Sequence, residues 1–470
     1  MIKSIFSNNN TSNKKKFYFL FTTLFFKTII NFLLLFYIAK VVNVSDFGSF
    51  TLSFVVMTIG VLLIDYGYNL HSLVLDYDNK EEISKKISSI ISGKFYISTL
   101  LILLTLPILY FISLGETSKK VIFILSLSSI PNSFGNFYFS LFKAKNNYKV
   151  ETNGFLIQGL LLISLITLNH FLGSKDIVTI SIIVLITKIT YFIYSFFQFK
   201  NEFSIQFRLS IRNALQSYVK SYNYGVHLIF GTLILYVETI FLSYFSDMET
   251  VGYYQAGLRL IMAASLFGAI ITDGFVPEIS KRQNDKKFVT DKMLSLFTFL
   301  GVFYFLLSLT FATYFNTIIN ILFSIEFQLI ENYTIYIILI IICRAIGIVP
   351  GVILTSLGLQ KIRARVAMLL LLLSIILNLF LVPFYGLEGA FMSFLVTNVL
   401  LTAVYFYYSF KEINFMKLIS LKLFFLLSCY VLALFFISKD NLFHLSISIL
   451  FCLLILLFTQ KNLNKRNVKN

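Results

Sequence analysis

Apolar stretches of about 18 to 28 residues alternate along this chain with short polar islands, the pattern of helices that each cross a bilayer. They lie near Phe17 to Val42, Gly48 to Leu75, Ser88 to Ile112, Val121 to Phe142, Asn153 to Phe171 and Ile177 to Gln198. After a basic connection, Lys200 to Gln216, they resume near Tyr218 to Phe245, Val251 to Thr272, Leu294 to Phe323, Tyr333 to Leu357, Val366 to Phe384, Gly386 to Phe410, Leu418 to Ile437 and Leu442 to Thr459. The expected fold is therefore all-α and polytopic, with about fourteen transmembrane helices.

The polar islands differ in charge. With the N-terminus inside, only Lys119, Lys120, Lys175 and Lys439 among the 39 Lys and Arg fall in outer loops. Inward-facing loops and both tails hold most of the remainder, and that bias sets topology, so both termini are expected in the cytoplasm. The first apolar run is too long for a signal-peptide core and reads as a retained helix.

Composition agrees: 57% hydrophobic and 13% charged residues leave too little polar surface to coat a soluble globule. The net charge of +17 lies in short loops beside apolar runs, which marks topology and gives no reason to expect nucleic acid. Cys343, Cys429 and Cys452 all sit within apolar runs, so neither a disulfide framework nor a metal-ligand spacing is implied. The four histidines are scattered, no Walker loop or catalytic triad is present, and no cofactor is expected.

A weak repeat organises the chain. Lys149 to Lys200 and Lys361 to Lys411 each begin at a basic turn, cross to a short outer loop containing Gly173 or Gly386, and return to a Tyr/Phe/Ser-rich end. A looser echo joins DFGSF and Asp65-Tyr66-Gly67 to VGYYQ and Asp273-Gly274. Both offsets are close to six helices, so the halves should be parallel repeats, the geometry suited to alternating access around a central cavity. The expected organisation is an N-terminal lobe (1–199), a basic linker on the inner leaflet (200–216), a C-terminal lobe (217–411), and two further helices with a basic tail (412–470).

Several segments carry a family resemblance. NLFLVPFYGLEGA (Asn378 to Ala390), VGYYQAGLRL (Val251 to Leu260), SDFGSF (Ser45 to Phe50), IDYGYN (Ile64 to Asn69) and LFSIEF (Leu322 to Phe327) resemble, in order, positions of polysaccharide transporters of the O-antigen flippase type. These belong to the multidrug/oligosaccharidyl-lipid/polysaccharide superfamily. Two departures stand out: Phe384 follows Pro383 where the family often has a basic residue, and Glu238 stands where it often has Asp.

The resemblance implies a flippase, not an enzyme. Its expected cargo is an undecaprenyl-pyrophosphate-linked oligosaccharide, an O-antigen or capsule repeat unit, carried across the bacterial inner membrane. Membrane lipids are expected neighbours, with a polysaccharide polymerase and glycosyltransferases as possible partners. Moving a diphosphate through hydrocarbon requires a shielded cationic path, because an unpaired buried charge costs several kcal/mol or more. Ionisable residues within spans are where such a path is sought.

The cations are Lys27, Lys188, Arg259 and Arg344, read as a phosphate-attracting lining, with intramolecular pairing such as Arg259 with Glu238 as the alternative. Lys40 and Lys94 sit near span ends and are expected to snorkel. Asp65 and Glu238 are candidates for ion coupling or for fixed counter-ions. Asn31, one turn after Lys27, would extend a polar stripe. With no Trp, sugar stacking would fall to tyrosines such as Tyr66, Tyr68, Tyr191, Tyr253 and Tyr254. Pro350, six residues after Arg344, is the hinge candidate, against an ordinary static kink.

Two alternatives stay open: a multidrug or lipid II exporter of the same superfamily, and a membrane oligosaccharide polymerase or ligase. A drug exporter favours an acidic cavity. A polymerase or ligase typically carries a large outer loop, whereas outer loops here are about ten residues at most.

Overall fold

The computed structural model describes residues 11–73, 75, 80–203 and 209–412. The thirteenth and fourteenth expected spans, with Cys429, Cys452 and Lys439, lie outside the described residues. Among the described residues every regular element is helical: α1 (Thr11–Val41), α2 (Val44–Asp65), α3 (Tyr68–Ser72), α4 (Lys80–Phe111), α5 (Glu116–Ala144), α6 (Tyr148–Phe171), α7 (Ile177–Glu202), α8 (Ile211–Leu233), α9 (Val237–Phe245), α10 (Met248–Lys281), α11 (Lys286–Leu322), a 3-10 segment (Ile325–Tyr333), α12 (Thr334–Ser356) and α13 (Gln360–Glu412). Eight of these helical stretches are long and apolar enough to cross a membrane. This is a multi-pass membrane protein. At 53 residues, α13 reaches roughly 80 Å unfolded along one axis, so it supplies two crossings, which part at Gly386 with φ 52 and ψ −123. That backbone is nearly exclusive to glycine.

The chain forms two compact units, Met1–Tyr236 and Val237–Asn470. In the first, α5 is the hub, packed against α2 and α7, while α6 lies on α7 and α1 on α6. Its buried Ser126, Ser128, Ser129 and Ser133 explain how so polar a helix sits at a centre: small side chains let neighbours close in, and Ser126, Ser128 and Ser129 return their hydroxyls to the helix's own carbonyls. The outward side of α4 presents Leu103, Leu104, Tyr110 and Phe111. Apolar exposure of that kind suits acyl chains.

The second unit repeats the packing order: α12 is the hub against α10, α11 and α13, and α9 lies on α13. Thus α2, α5, α6 with α7, and α1 correspond to α10, α12, α13 and α9, as the sequence repeat requires. One echo breaks down locally. After Asp65 the chain leaves α2 through Tyr66 (φ 42) and Gly67 (φ 78), both left-handed, whereas α10 runs unbroken through Asp273 and Gly274.

The division between units falls at Tyr236, not within 200–216. The expected seventh span, Tyr218 to Phe245, is interrupted by a turn at 234–236, and α8 belongs to the first unit. There it docks through polar bonds: Tyr68 to Ser217 (2.8 Å), His71 Nδ1 to Ser221 (2.8 Å), and the Tyr218 hydroxyl donating to the Gly93 carbonyl (2.7 Å). Its other side exposes Ile211, Leu215 and Val219.

Candidate functional site

Each unit holds intramembrane charge, arranged in contrasting ways. In the first unit the strongest pairing involves a residue expected to snorkel. Lys94 is completely buried, and its ammonium donates to Asp65 (3.3 Å), to Ser133 (2.9 Å) and to the Ile64 carbonyl (3.5 Å). The rings of Tyr68, Phe134 and Phe137 surround it at 5.7, 5.9 and 5.4 Å from their centroids. The reason it does not snorkel is the length of α4, which places Lys94 fourteen residues inside a 32-residue helix. Asp65 also accepts the backbone N–H of Asn69 at 3.2 Å across the helix break. Of the two roles open to Asp65, this geometry is that of a fixed counter-ion.

Lys27, Lys188 and Asn31 lie elsewhere in this unit. The Lys27 ammonium stands 5.2 Å from the Phe155 centroid, within electrostatic reach of Glu151 and of Lys188. Lys27 is exposed, Lys188 and Asn31 half-buried. Glu151 is itself held by Lys143 at 2.7 Å, so the cluster carries more positive than negative charge. Neighbouring Thr23 and Thr152 join α1 to α6 at 2.7 Å.

In the second unit, polar groups from α9, α10 and α13 form a buried network. Glu238 is completely buried and accepts from Ser374 (3.0 Å) and Asn378 (3.5 Å); Asn378 also donates to Ser393 (2.7 Å). Gln255 donates to Thr239 (2.6 Å) and accepts from Arg259 (2.9 Å). Arg259 is thus held by Gln255, and Glu238 by α13. Glu238 Oε2, Asn378 Oδ1 and the Tyr254 hydroxyl are buried without a hydrogen-bond partner among the described residues. These oxygens gather around Glu238, an all-oxygen environment suited to a proton or a small cation.

Arg344 is half-buried and donates to Ser265 (3.1 Å) and Asn398 (3.4 Å). Among the described residues no carboxylate pairs with Arg344 or with Lys188. The tyrosines sort by burial. Tyr68, Tyr191 and Tyr254 are fully buried, Tyr254 against Phe391 at 5.2 Å, so a sugar has no access to these rings. Tyr66 and Tyr253 remain half-buried. α12 runs through Pro350, whose carbonyl accepts from Ser409 at 3.2 Å.

Sequence reasoning missed Lys94, Glu151 and the α13 partners of Glu238. Serines and asparagines in an apolar run, Ser374, Asn378, Ser393 and Asn398, were the available signal, since polar groups in hydrocarbon must find partners.

A polytopic helical fold in two repeated units, each with charge inside the apolar bundle, defines a membrane transporter class. Residues 14–283 match the family model described as "Polysaccharide biosynthesis protein", and the chain belongs to that family. It is 26% identical over 216 residues to the capsular polysaccharide biosynthesis protein CapF of Staphylococcus aureus, a match covering 45% of this chain and about half, 51%, of that relative. The fold is similar to the lipid II flippase MurJ in an inward closed conformation: TM-score 0.70, 19% identity, 96% of this chain and 99% of that one. It is also similar to an inward-facing multidrug MATE family transporter, with TM-score 0.62, 10% identity and coverage of 84% and 96%.

Proposed function

We propose that this protein flips an undecaprenyl-pyrophosphate-linked oligosaccharide, an O-antigen or capsule repeat unit, from the inner to the outer leaflet of the bacterial inner membrane. The observation that carries the reading is Arg344: a half-buried guanidinium inside an apolar bundle, held by neutral Ser265 and Asn398 and by no carboxylate among the described residues. A cation kept there has a use for an anion that comes and goes. Its planar fork suits a phosphate bidentately, and Lys27 and Lys188 add point charges in the first unit. The membership in a polysaccharide biosynthesis family supplies the cargo, and the prenyl tail can stay in lipid.

Movement follows by alternating access, with the turn at 234–236 and the Pro350 helix as the places where the chain can bend. Glu238 is the coupling group, taking up a proton or a monovalent cation among its unpartnered oxygens, while Asp65 serves structure. Short connections, such as 112–115 and 172–176, leave no large outer loop among the described residues, which favours a transporter over a polymerase or ligase. Cationic rather than acidic lining favours an anionic lipid over a cationic drug.

The test is deletion in the source organism. Lipid-linked oligosaccharide should accumulate on the cytoplasmic face, and the intact gene but not Arg344→Ala should clear it. An unchanged distribution of that lipid in the deletion strain overturns the reading.

A further inference from the structure

Tyr254 is closed to sugars, but the ring it packs against organises two tyrosines that are not. Phe391, completely buried, is flanked by Tyr333 (5.4 Å, 25°) and Tyr336 (6.4 Å, 16°), both stacked and both half-buried. The Tyr336 hydroxyl donates to Glu388 Oε1 at 2.8 Å, and the Glu388 charge also reaches Tyr333. These rings therefore have fixed planes and a carboxylate beside them.

An ordinary membrane-interface tyrosine points its ring at lipid. On α12 that side is taken by Ile335 and Leu339, which are 65% and 38% exposed. Tyr336 belongs instead to the stripe that continues through Ile340 to Arg344 and Gly347, by helical spacing. Arg344 follows Tyr336 by eight residues, roughly 12 Å along the helix. One helix stripe thus presents stacked aromatic rings with a carboxylate at one end and an unpaired guanidinium two turns away.

We propose that Tyr333, Tyr336 and Glu388 form a sugar-stacking platform that recognises neutral pyranose units of the cargo while Arg344 holds its diphosphate. The proposal rests on the flippase reading and adds the chemical class of sugar. Aromatic faces pack on the C–H face of a pyranose, and an ionised carboxylate, with about four lone-pair sites, accepts from hydroxyls beyond its bond to Tyr336. The same carboxylate repels a uronic acid.

The experiment measures binding of two probes to the full chain in nanodiscs: undecaprenyl diphosphate, and the same lipid bearing a neutral disaccharide. The wild type should prefer the glycosylated lipid by about tenfold, roughly 1.4 kcal/mol. Tyr333→Ala with Tyr336→Ala should erase that preference, whereas Tyr336→Phe, which keeps the ring, should retain most of it. Should the double variant not fold, Glu388→Gln carries the test: it should raise binding of a uronate-bearing lipid relative to the neutral one. A preference unchanged in the double variant, or a uronate ratio unmoved by Glu388→Gln, overturns the platform. Equal wild-type binding of both lipids overturns the platform and leaves the flippase reading standing; binding of neither overturns both.

Discussion

Two intramembrane cations illustrate how context assigns a role. Lys94 and Arg344 are both costly to bury, yet Lys94 is enclosed with Asp65 and Ser133 and Arg344 is held by neutral groups alone. Removing one partner of a buried pair strands the other charge, so Lys94→Met should destabilise the protein by about 3–5 kcal/mol. Thermal unfolding in detergent checks this, and adding Asp65→Asn should recover part of the loss. Arg344 should behave otherwise. Arg344→Lys keeps the charge but loses the fork, and is expected to slow export about tenfold while leaving the melting temperature near that of the wild type.

Helices here are shaped by small residues at close approaches. Gly386 turns α13 back on itself, and a Cβ at Gly389 would lie 2.3 Å from the Leu381 carbonyl oxygen, so the two arms touch backbone to backbone. Gly386→Ala forces a side chain into a backbone region that costs about 1–3 kcal/mol, and its melting temperature should fall accordingly. Gly274→Ala is the contrast. It lies within α10 with open space around it, and helix propensity alone should make it neutral or stabilising by up to about 1 kcal/mol. At this scale the expected seventh span was misread, because one apolar run covers two helices belonging to different units. The readable sign was Ser217, Ser221 and Gly225 at four-residue spacing, a polar and small stripe that faces protein.

For the molecule as a whole, the proposed cargo carries net negative charge outward, down the inside-negative potential. Two charges gain roughly 5 kcal/mol per 100 mV, so dissipating the potential in vesicles should slow flipping. Rates that do not change would remove this coupling. Glu238→Gln should abolish any dependence of flipping on a proton or sodium gradient while Asp65→Asn should not, measured by varying each gradient separately.

The sequence by itself determined the solvent, the helices and the repeat, because hydrophobic length and the sidedness of Lys and Arg act locally along the chain. It also located the break at Asp65-Tyr66-Gly67 as a distinctive motif. What only the tertiary structure decided was which charges are spent on the protein itself. Lys94 meets Asp65 across 29 residues and Glu238 meets Ser374 across 136, contacts that no local spacing encodes. In hydrocarbon every buried charge must be answered, and whether the answer is a neighbouring side chain or an arriving ligand depends on packing between helices distant in the chain.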